Sequence, residues 1–228
     1  MGHRIAASIL AFGLLPAGLD AAGCGSTQAA PLSAPSKLIL ENDRVRVSEI
    51  SVARGGSIPK PVWAAVELED KSAPNAGKPW QSVGFRWVEA DKSEKPSGSG
   101  AWHAVRIELK QADCPLAPAV LPDTDITKIP NSGFTIELEN AHMRVLHGRI
   151  PPGEMEPWHT HTWSAVVCYF GLPDSRRTEA DGTVKPRAGF SEMQVNFDQG
   201  NNPRHTIENL GKTLYQAYRI ELKPVMGR

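Results

Sequence analysis

His159 and His161, in Pro157-Trp158-His159-Thr160-His161, are the residues whose types and spacing point most directly to chemistry. On an extended strand, residues i and i+2 share a face, so this spacing aims two imidazoles at one point. Neutral imidazole is a common metal ligand. His205, in Arg204-His205-Thr206-Ile207-Glu208-Asn209, follows 44 residues later, and a neighbouring strand would bring it to the same point. Three histidines with no carboxylate keep the full divalent charge on a metal complex. They leave one open position on tetrahedral zinc and three on octahedral iron, manganese or nickel. No general base can be named. Glu154 and Glu156 lie just upstream without an assigned direction, and no spacing fixes Tyr169, Tyr215 or Arg204 against a substrate. His142 and His147 lack paired spacing and read as surface or structural residues.

The order Gly153, five residues, His159-Thr160-His161, a later Gly171, then His205, three residues and Asn209 resembles the two motifs of the cupin superfamily. The resemblance implies small jelly-roll barrels and a metal on the three histidines, His159, His161 and His205. It departs from the family in two places. Ala165 and Val166 stand where the family's Glu falls, which argues against germin-like manganese oxalate chemistry. Gly200 and Asn202 stand where the second motif has Pro and Gly, and Asn202 is expected to keep the turn by tolerating a left-handed backbone. Some cupins with three-histidine sites are thiol dioxygenases, a resemblance of ligand set only.

The elements that must position these residues read as strands. Val45, Val47 and Glu49 alternate with Arg46, Ser48 and Ile50, and Met193, Val195 and Phe197 alternate with Gln194 and Asn196. Such period-2 runs between Gly, Pro, Asn and Asp clusters indicate short strands. With 20 Gly and 19 Pro in 228 residues, the composition suits many strands and turns better than helices. The chain also repeats itself. Glu41-Asn42-Asp43-Arg44-Val45-Arg46-Val47 aligns with Glu139-Asn140-Ala141-His142-Met143-Arg144-Val145 at an offset of 98. Arg106-Ile107-Glu108-Leu109-Lys110 repeats as Arg219-Ile220-Glu221-Leu222-Lys223 at an offset of 113. The fold expected is all-β, with two tandem cupin barrels: residues 38–111, a Pro-rich linker or surface strap at 112–132, and residues 133–228 carrying the metal site. Trp158, Trp163, Tyr169, Phe170 and Phe197 are expected to line the second barrel or its mouth. At the same offsets the first unit places Pro61, Trp63 and Lys92 against His159, His161 and His205. The first barrel is therefore expected to be metal-free, with Trp63 filling the space of a metal.

Residues 1–23 read as a signal segment, with His3 and Arg4 before an apolar run, Ile5–Leu15, too short to span a bilayer. Ala21-Ala22-Gly23-Cys24 resembles a bacterial lipoprotein cleavage site, which would place a lipid on Cys24; the alternative is ordinary cleavage to a periplasmic or secreted product. Residues 24–37 read as a flexible tether. Cys114 and Cys168 then remain as a pair in an oxidising compartment, either bridged or, the reading preferred here, as two buried thiols. Equal numbers of basic and acidic residues, 25 each, argue against a general nucleic-acid binder or a polybasic membrane-surface protein. The reading overall is an exported protein binding one divalent transition metal (Fe, Mn, Zn or Ni) and a small polar molecule. It would be either a metal-dependent enzyme, dioxygenase-like or Lewis-acid, or a non-catalytic ligand-binding or structural lipoprotein. A homo-oligomer is compatible with it.

Overall fold

The computed structural model describes residues 36–71, 83–90, 92, 101–110, 114, 116–117 and 120–225. The expected signal segment and Cys24 lie outside the described residues. The described chain is all-β apart from one short 3-10 turn. Its strands are β1 (Ser36–Glu41), β2 (Val45–Val52), β3 (Ala65–Asp70), β4 (Val83–Val88) and β5 (Trp102–Leu109). After the 3-10 turn Ile126–Lys128 come β6 (Phe134–Glu139), β7 (Met143–Ile150), β8 (Ala165–Leu172), β9 (Ser175–Glu179), β10 (Val184–Arg187), β11 (Phe190–Asp198), β12 (His205–Asn209) and β13 (Tyr215–Leu222).

The repeat in the sequence is a repeat in the fold. The first five-stranded sheet has the order β1-β2-β5-β3-β4 and the second has β6-β7-β13-β8-β11, position for position the same. Local details repeat as well. Asn42 Oδ1 accepts the backbone N–H groups of Arg44 and Val45 at 2.8 and 2.9 Å, and Asn140 Oδ1 accepts those of His142 and Met143 at 2.8 and 3.1 Å. This side-chain turn is what the shared Glu-Asn pair encodes. Both edge strands carry a register shift at the same place, between Leu38 and Leu40 and between Ile136 and Leu138. A bulge there twists an exposed edge away from further pairing.

The second unit has a further sheet, β10-β9-β12, to which the segment Gly153–His159 adds by hydrogen bonding along β12. Number the strands one to eight from β7 to β13, with Gly153–His159 second. One sheet then pairs 1-8-3-6 and the other 2-7-4-5, the double Greek key of a jelly roll. Among the described residues the first unit contributes its five-stranded sheet alone.

The two large sheets face each other and share one core. Val45, Val47, Val66, Leu68, Val105 and Ile107 of the first sheet pack with Met143, Val145, Val166, Phe170, Tyr218 and Ile220 of the second. Each fully buried Val, Leu or Ile contributes about 1.5–3 kcal/mol, so this interface is the main cohesion between the units. Phe170 belongs to this core and Phe197 packs against it, so these two face the partner sheet rather than the barrel interior. The interior of the second unit is lined by Ile150, Leu172, Tyr215 and Ala217, with Tyr169, Phe190 and Ile207 against them. Cys168 is a free buried thiol in the shared core, while Cys114 is disulfide-bonded. The two do not bridge each other, and Cys114 is not the free thiol expected.

The Pro-rich segment between the units is a strap rather than a loose linker. Thr124 O accepts the Thr160 N–H at 2.8 Å and the Ile126 N–H donates to Thr160 O at 3.1 Å. Asp125, fully buried, accepts from Thr127, from Thr162 Oγ1 at 3.1 Å and from Arg144 at 3.1 Å. The strap thereby clamps the residue between the two histidines of the pair.

Candidate metal centre

His159 and His205 face each other across a two-stranded ribbon. Each donates its backbone N–H to the other's carbonyl at 2.9 Å, and the Gly153 and Glu156 N–H groups bond Asn209 O and Ile207 O at 2.9 and 3.0 Å. Cross-strand partners project to the same face, so both imidazoles enter the barrel side by side. His161 is held by the turn after β11. Asn201 and Asn202 N–H groups donate to Thr162 O and His161 O, both at 3.1 Å. That turn needs glycine at 200: its φ is +81°, and a Cβ would lie 2.6 Å from Ser164 N and 2.7 Å from Thr162 O. The left-handed asparagine is Asn201, with φ +50°, not Asn202, whose side chain instead donates to Asp198 Oδ2 at 2.7 Å.

The candidate ligand atoms of His159, His161 and His205 all lie within 4.8 Å of one another, and all three residues are buried. His159 Nε2 and His161 Nε2 are 3.2 Å apart. Two ligands on a tetrahedral ion with bonds of 2.0–2.1 Å would sit about 3.3 Å apart. His159 Nδ1 lies 2.9 Å from Pro157 O and His205 Nδ1 lies 2.8 Å from Pro203 O. A carbonyl only accepts, so both Nδ1 atoms carry the proton and both Nε2 lone pairs point inward. Burial lowers the pKa of His159 to about 4 and of His205 to about 3, and drives that of His161 well below its usual value. At neutral pH the centre is three uncharged imidazoles with ligand lone pairs fixed by outer hydrogen bonds, the arrangement that metal-binding histidines use. The residues fit a divalent transition ion.

A buried charge network backs His161. Glu221 Oε1 lies 3.3 Å from His161 Nδ1 and 3.0 Å from Arg219 Nε, and its Oε2 bonds Arg144. Asp125 and Asp198 close the two ends on Arg144 and Arg219 at 3.1 and 2.7 Å. Phe134 sets its ring against His159 and His161 at centroid distances of 5.8 and 5.9 Å. It also lines an open cleft of about 600 Å³ with Ile126, Ile129, Leu146 and Arg149.

Glu156 was not assigned a direction by sequence, and the structure gives it one. It is buried, with Oε1 3.7 Å from His159 Nε2 and neither carboxylate oxygen in a hydrogen bond. Burial pushes its pKa up to about 8 against the weaker opposing pull of the Ile207 backbone and Arg177. Glu154 is exposed. Asn209 is a turn residue: its Nδ2 donates to Ile150 O and Thr213 O, both at 2.8 Å. His142 stacks on Trp87, and buried His147 stacks on Tyr218 and bonds Gln216, so both are structural. Tyr215 is buried in the barrel and Arg204 is exposed.

The first unit holds no such cluster among the described residues, but Trp63 does not occupy a metal's place. Trp63 matches Trp163, at an offset of 100. Arg46 lies over Trp63 and Arg144 over Trp163, at 5.2 and 4.3 Å from the ring centres, and Lys110 and Lys223 repeat the contact at 5.5 and 6.0 Å. Lys92 lies in no strand of the described residues.

No protein-family model and no curated protein sequence matches this chain. Among solved structures it is similar to a cupin domain from Bordetella pertussis, with 23% identity, 40% of this chain and 91% of that one covered, and a TM-score of 0.32. It is similar to AerE from Microcystis aeruginosa over 82% of this chain and 96% of that one, with 11% identity and a TM-score of 0.49. A salicylate 1,2-dioxygenase from Pseudoaminobacter salicylatoxidans is similar over 81% of this chain and 76% of that one, with 7% identity and a TM-score of 0.44. Likeness this remote assigns no chemistry to the chain.

Proposed function

We propose that this protein is an exported metalloprotein of the cupin type. It holds one divalent transition metal through His159, His161 and His205 and presents it to a small polar molecule. One observation carries the reading: three buried, neutral imidazoles converge, and backbone carbonyls accept from the outer Nδ1–H of two of them. A bound metal would supply Lewis acidity or redox capacity at that point. The chain's own part is to fix the imidazoles on the β12 ribbon and to clamp Thr160 with the strap. Phe134 closes one side of the centre beside the open cleft. Export is read from residues 1–23 as a signal segment.

The test is metal content. Protein spanning residues 25–228, prepared without a His tag, should carry or take up close to one equivalent of Fe, Mn, Zn or Ni by mass spectrometry. His161→Ala should lose it. Less than about a tenth of an equivalent, not restored by soaking, would exclude the metal reading.

A further inference from the structure

The carboxylate expected near a three-histidine centre of this kind is missing from its usual place. Ala165 and Val166 are fully buried in β8, with Val166 in the core between the large sheets, so neither position can present a ligand to the barrel. Yet a carboxylate has arrived from another direction. Glu156 precedes His159 by three residues on the same ribbon, and its main chain is fixed on both sides. Its N–H bonds Ile207 O at 3.0 Å and its carbonyl accepts from Thr206 Oγ1 at 2.5 Å. Its side chain is buried beside His159 Nε2 at 3.7 Å, with neither oxygen in a well-formed hydrogen bond and only the Ile207 N–H and the Arg177 charge acting on it. Arg177, whose charge acts on Glu156, has its Nε 3.4 Å from Glu179 instead. A buried carboxyl without a charged partner stays neutral, and it ionises where a cation or metal answers it. The gap of 3.7 Å to His159 Nε2 is close to the roughly 3.3 Å between neighbouring ligands on a tetrahedral ion, but the cluster of ligand atoms within 4.8 Å of one another is the three histidines alone, so the Glu156 carboxyl has to turn inward from its present position to reach the ion.

We propose that Glu156 is the fourth protein ligand of the metal centre, a carboxylate supplied from upstream of the histidine pair; the proposal rests on the metal reading above. The complex then carries one net positive charge instead of two. Tetrahedral zinc would be closed by protein ligands, whereas six-coordinate iron, manganese or nickel would keep two open positions. Of the two, only the six-coordinate ion leaves room for a small molecule at the metal.

Cobalt(II) replaces such metals and reports its ligand set in its visible absorption. Metal-free wild type, Glu156→Gln and Glu156→Ala are titrated with Co²⁺ against a competing chelator. Both variants should bind more than about 100-fold more weakly than wild type, beyond the range that outer-shell partners account for. Their Co²⁺ bands should shift, and metal-free Glu156→Gln should melt no lower than wild type, because it removes an unpaired buried acid. Affinity retained within threefold overturns the assignment, and so does a loss of affinity with unchanged bands. Should the variants fail to fold, infrared difference spectra of wild type labelled with ¹³C-carboxyl glutamate decide it: the carboxylate stretch must shift on metal binding. If wild type binds no Co²⁺ at all, the metal reading itself fails; if wild type binds and the variants match it, only the role of Glu156 falls.

Discussion

Glu221→Gln should separate the fold's use of a buried charge from the site's use of it. Glu221 is fully buried, bonds Arg144 and Arg219, the latter at 3.0 Å, and sets its Oε1 3.3 Å from His161 Nδ1, a charge contact without the alignment of a hydrogen bond. The amide keeps the shape and removes the charge. Breaking a buried ion pair costs about 3–5 kcal/mol. Each guanidinium here retains a second carboxylate, Asp125 or Asp198, so the low end applies, about 3 kcal/mol. For a chain of this size that lowers Tm by roughly 6–12 °C. The site should lose more than stability. A carboxylate behind a ligating imidazole orients it and raises its basicity, and removing such a group weakens metal binding about 10–100-fold. The duplication supplies the control. Glu108 holds the matching position in the first sheet, where it accepts the Val62 N–H at 2.6 Å and the Trp63 N–H at 3.4 Å, with no histidine beside it. Glu108→Gln should lower Tm with unchanged metal affinity. Thermal melting of metal-free protein and competitive metal titration read the two effects separately. If Glu221→Gln leaves metal affinity unchanged, or if Glu108→Gln weakens it equally, the link from Glu221 to His161 is refuted.

Cys168 is fully buried and burial pushes its thiol up to about 12, so native protein should not react with a thiol reagent at pH 8 and should react fully in denaturant; fast labelling of the native state would contradict the shared core. Asp198 gives a pH prediction. Burial raises its pKa, but Arg219, the Gly200 N–H and Asn202 outweigh burial and hold it at about 2. A depressed carboxylate contributes stability above its unfolded value near 3.9 that is lost as pH falls through the folded value. The Tm gap between wild type and Asp198→Asn should therefore be full at pH 6, smaller at pH 3 and near zero at pH 2; a gap that persists to pH 2 would show that Arg219 is not what depresses Asp198.

What the sequence made legible follows from period and repetition. The β2 and β11 patterns read as strands because side chains alternate, and the Glu-Asn block marks a turn that both units build. The histidine triad was legible because i, i+2 spacing on a ribbon has one geometric consequence. The shared core was not, because both faces of β2 are buried: Arg46 and Ser48 alternate with Val45 and Val47, yet none of the four is exposed. A charged residue reads as solvent-facing until its partner, here Glu41, is placed. The register of Trp63 slipped because the ungapped offset of 98 was carried past two extra residues before Trp163. Trp63-Ala64-Ala65-Val66 against Trp163-Ser164-Ala165-Val166 is the signal that corrects it. Glu156 had no such signal, since its direction comes from pairing with β12 through the Ile207 carbonyl, which has no period in the sequence.

The changing offset also locates the origin of the site. It is 98 at β1 and β6, 100 at Trp63 and Trp163, and 113 at β5 and β13, so most of the added length falls between β8 and β13. That stretch contains β9, β10 and β12, the sheet that brings His205 to the histidine pair. The buried charges the two units share, Arg46 with Arg144, Arg106 with Arg219 and Glu108 with Glu221, do not depend on the histidine triad, because both units have them and, among the described residues, only the second has the triad. The shared charges are scaffold, and in the second unit part of that scaffold, Glu221, lies 3.3 Å from His161. The first sheet then acts as the apolar wall that keeps β7, β8 and β13 rigid behind the site. A substitution in that wall, far from any histidine, should cost stability first and metal affinity only as β13 loosens.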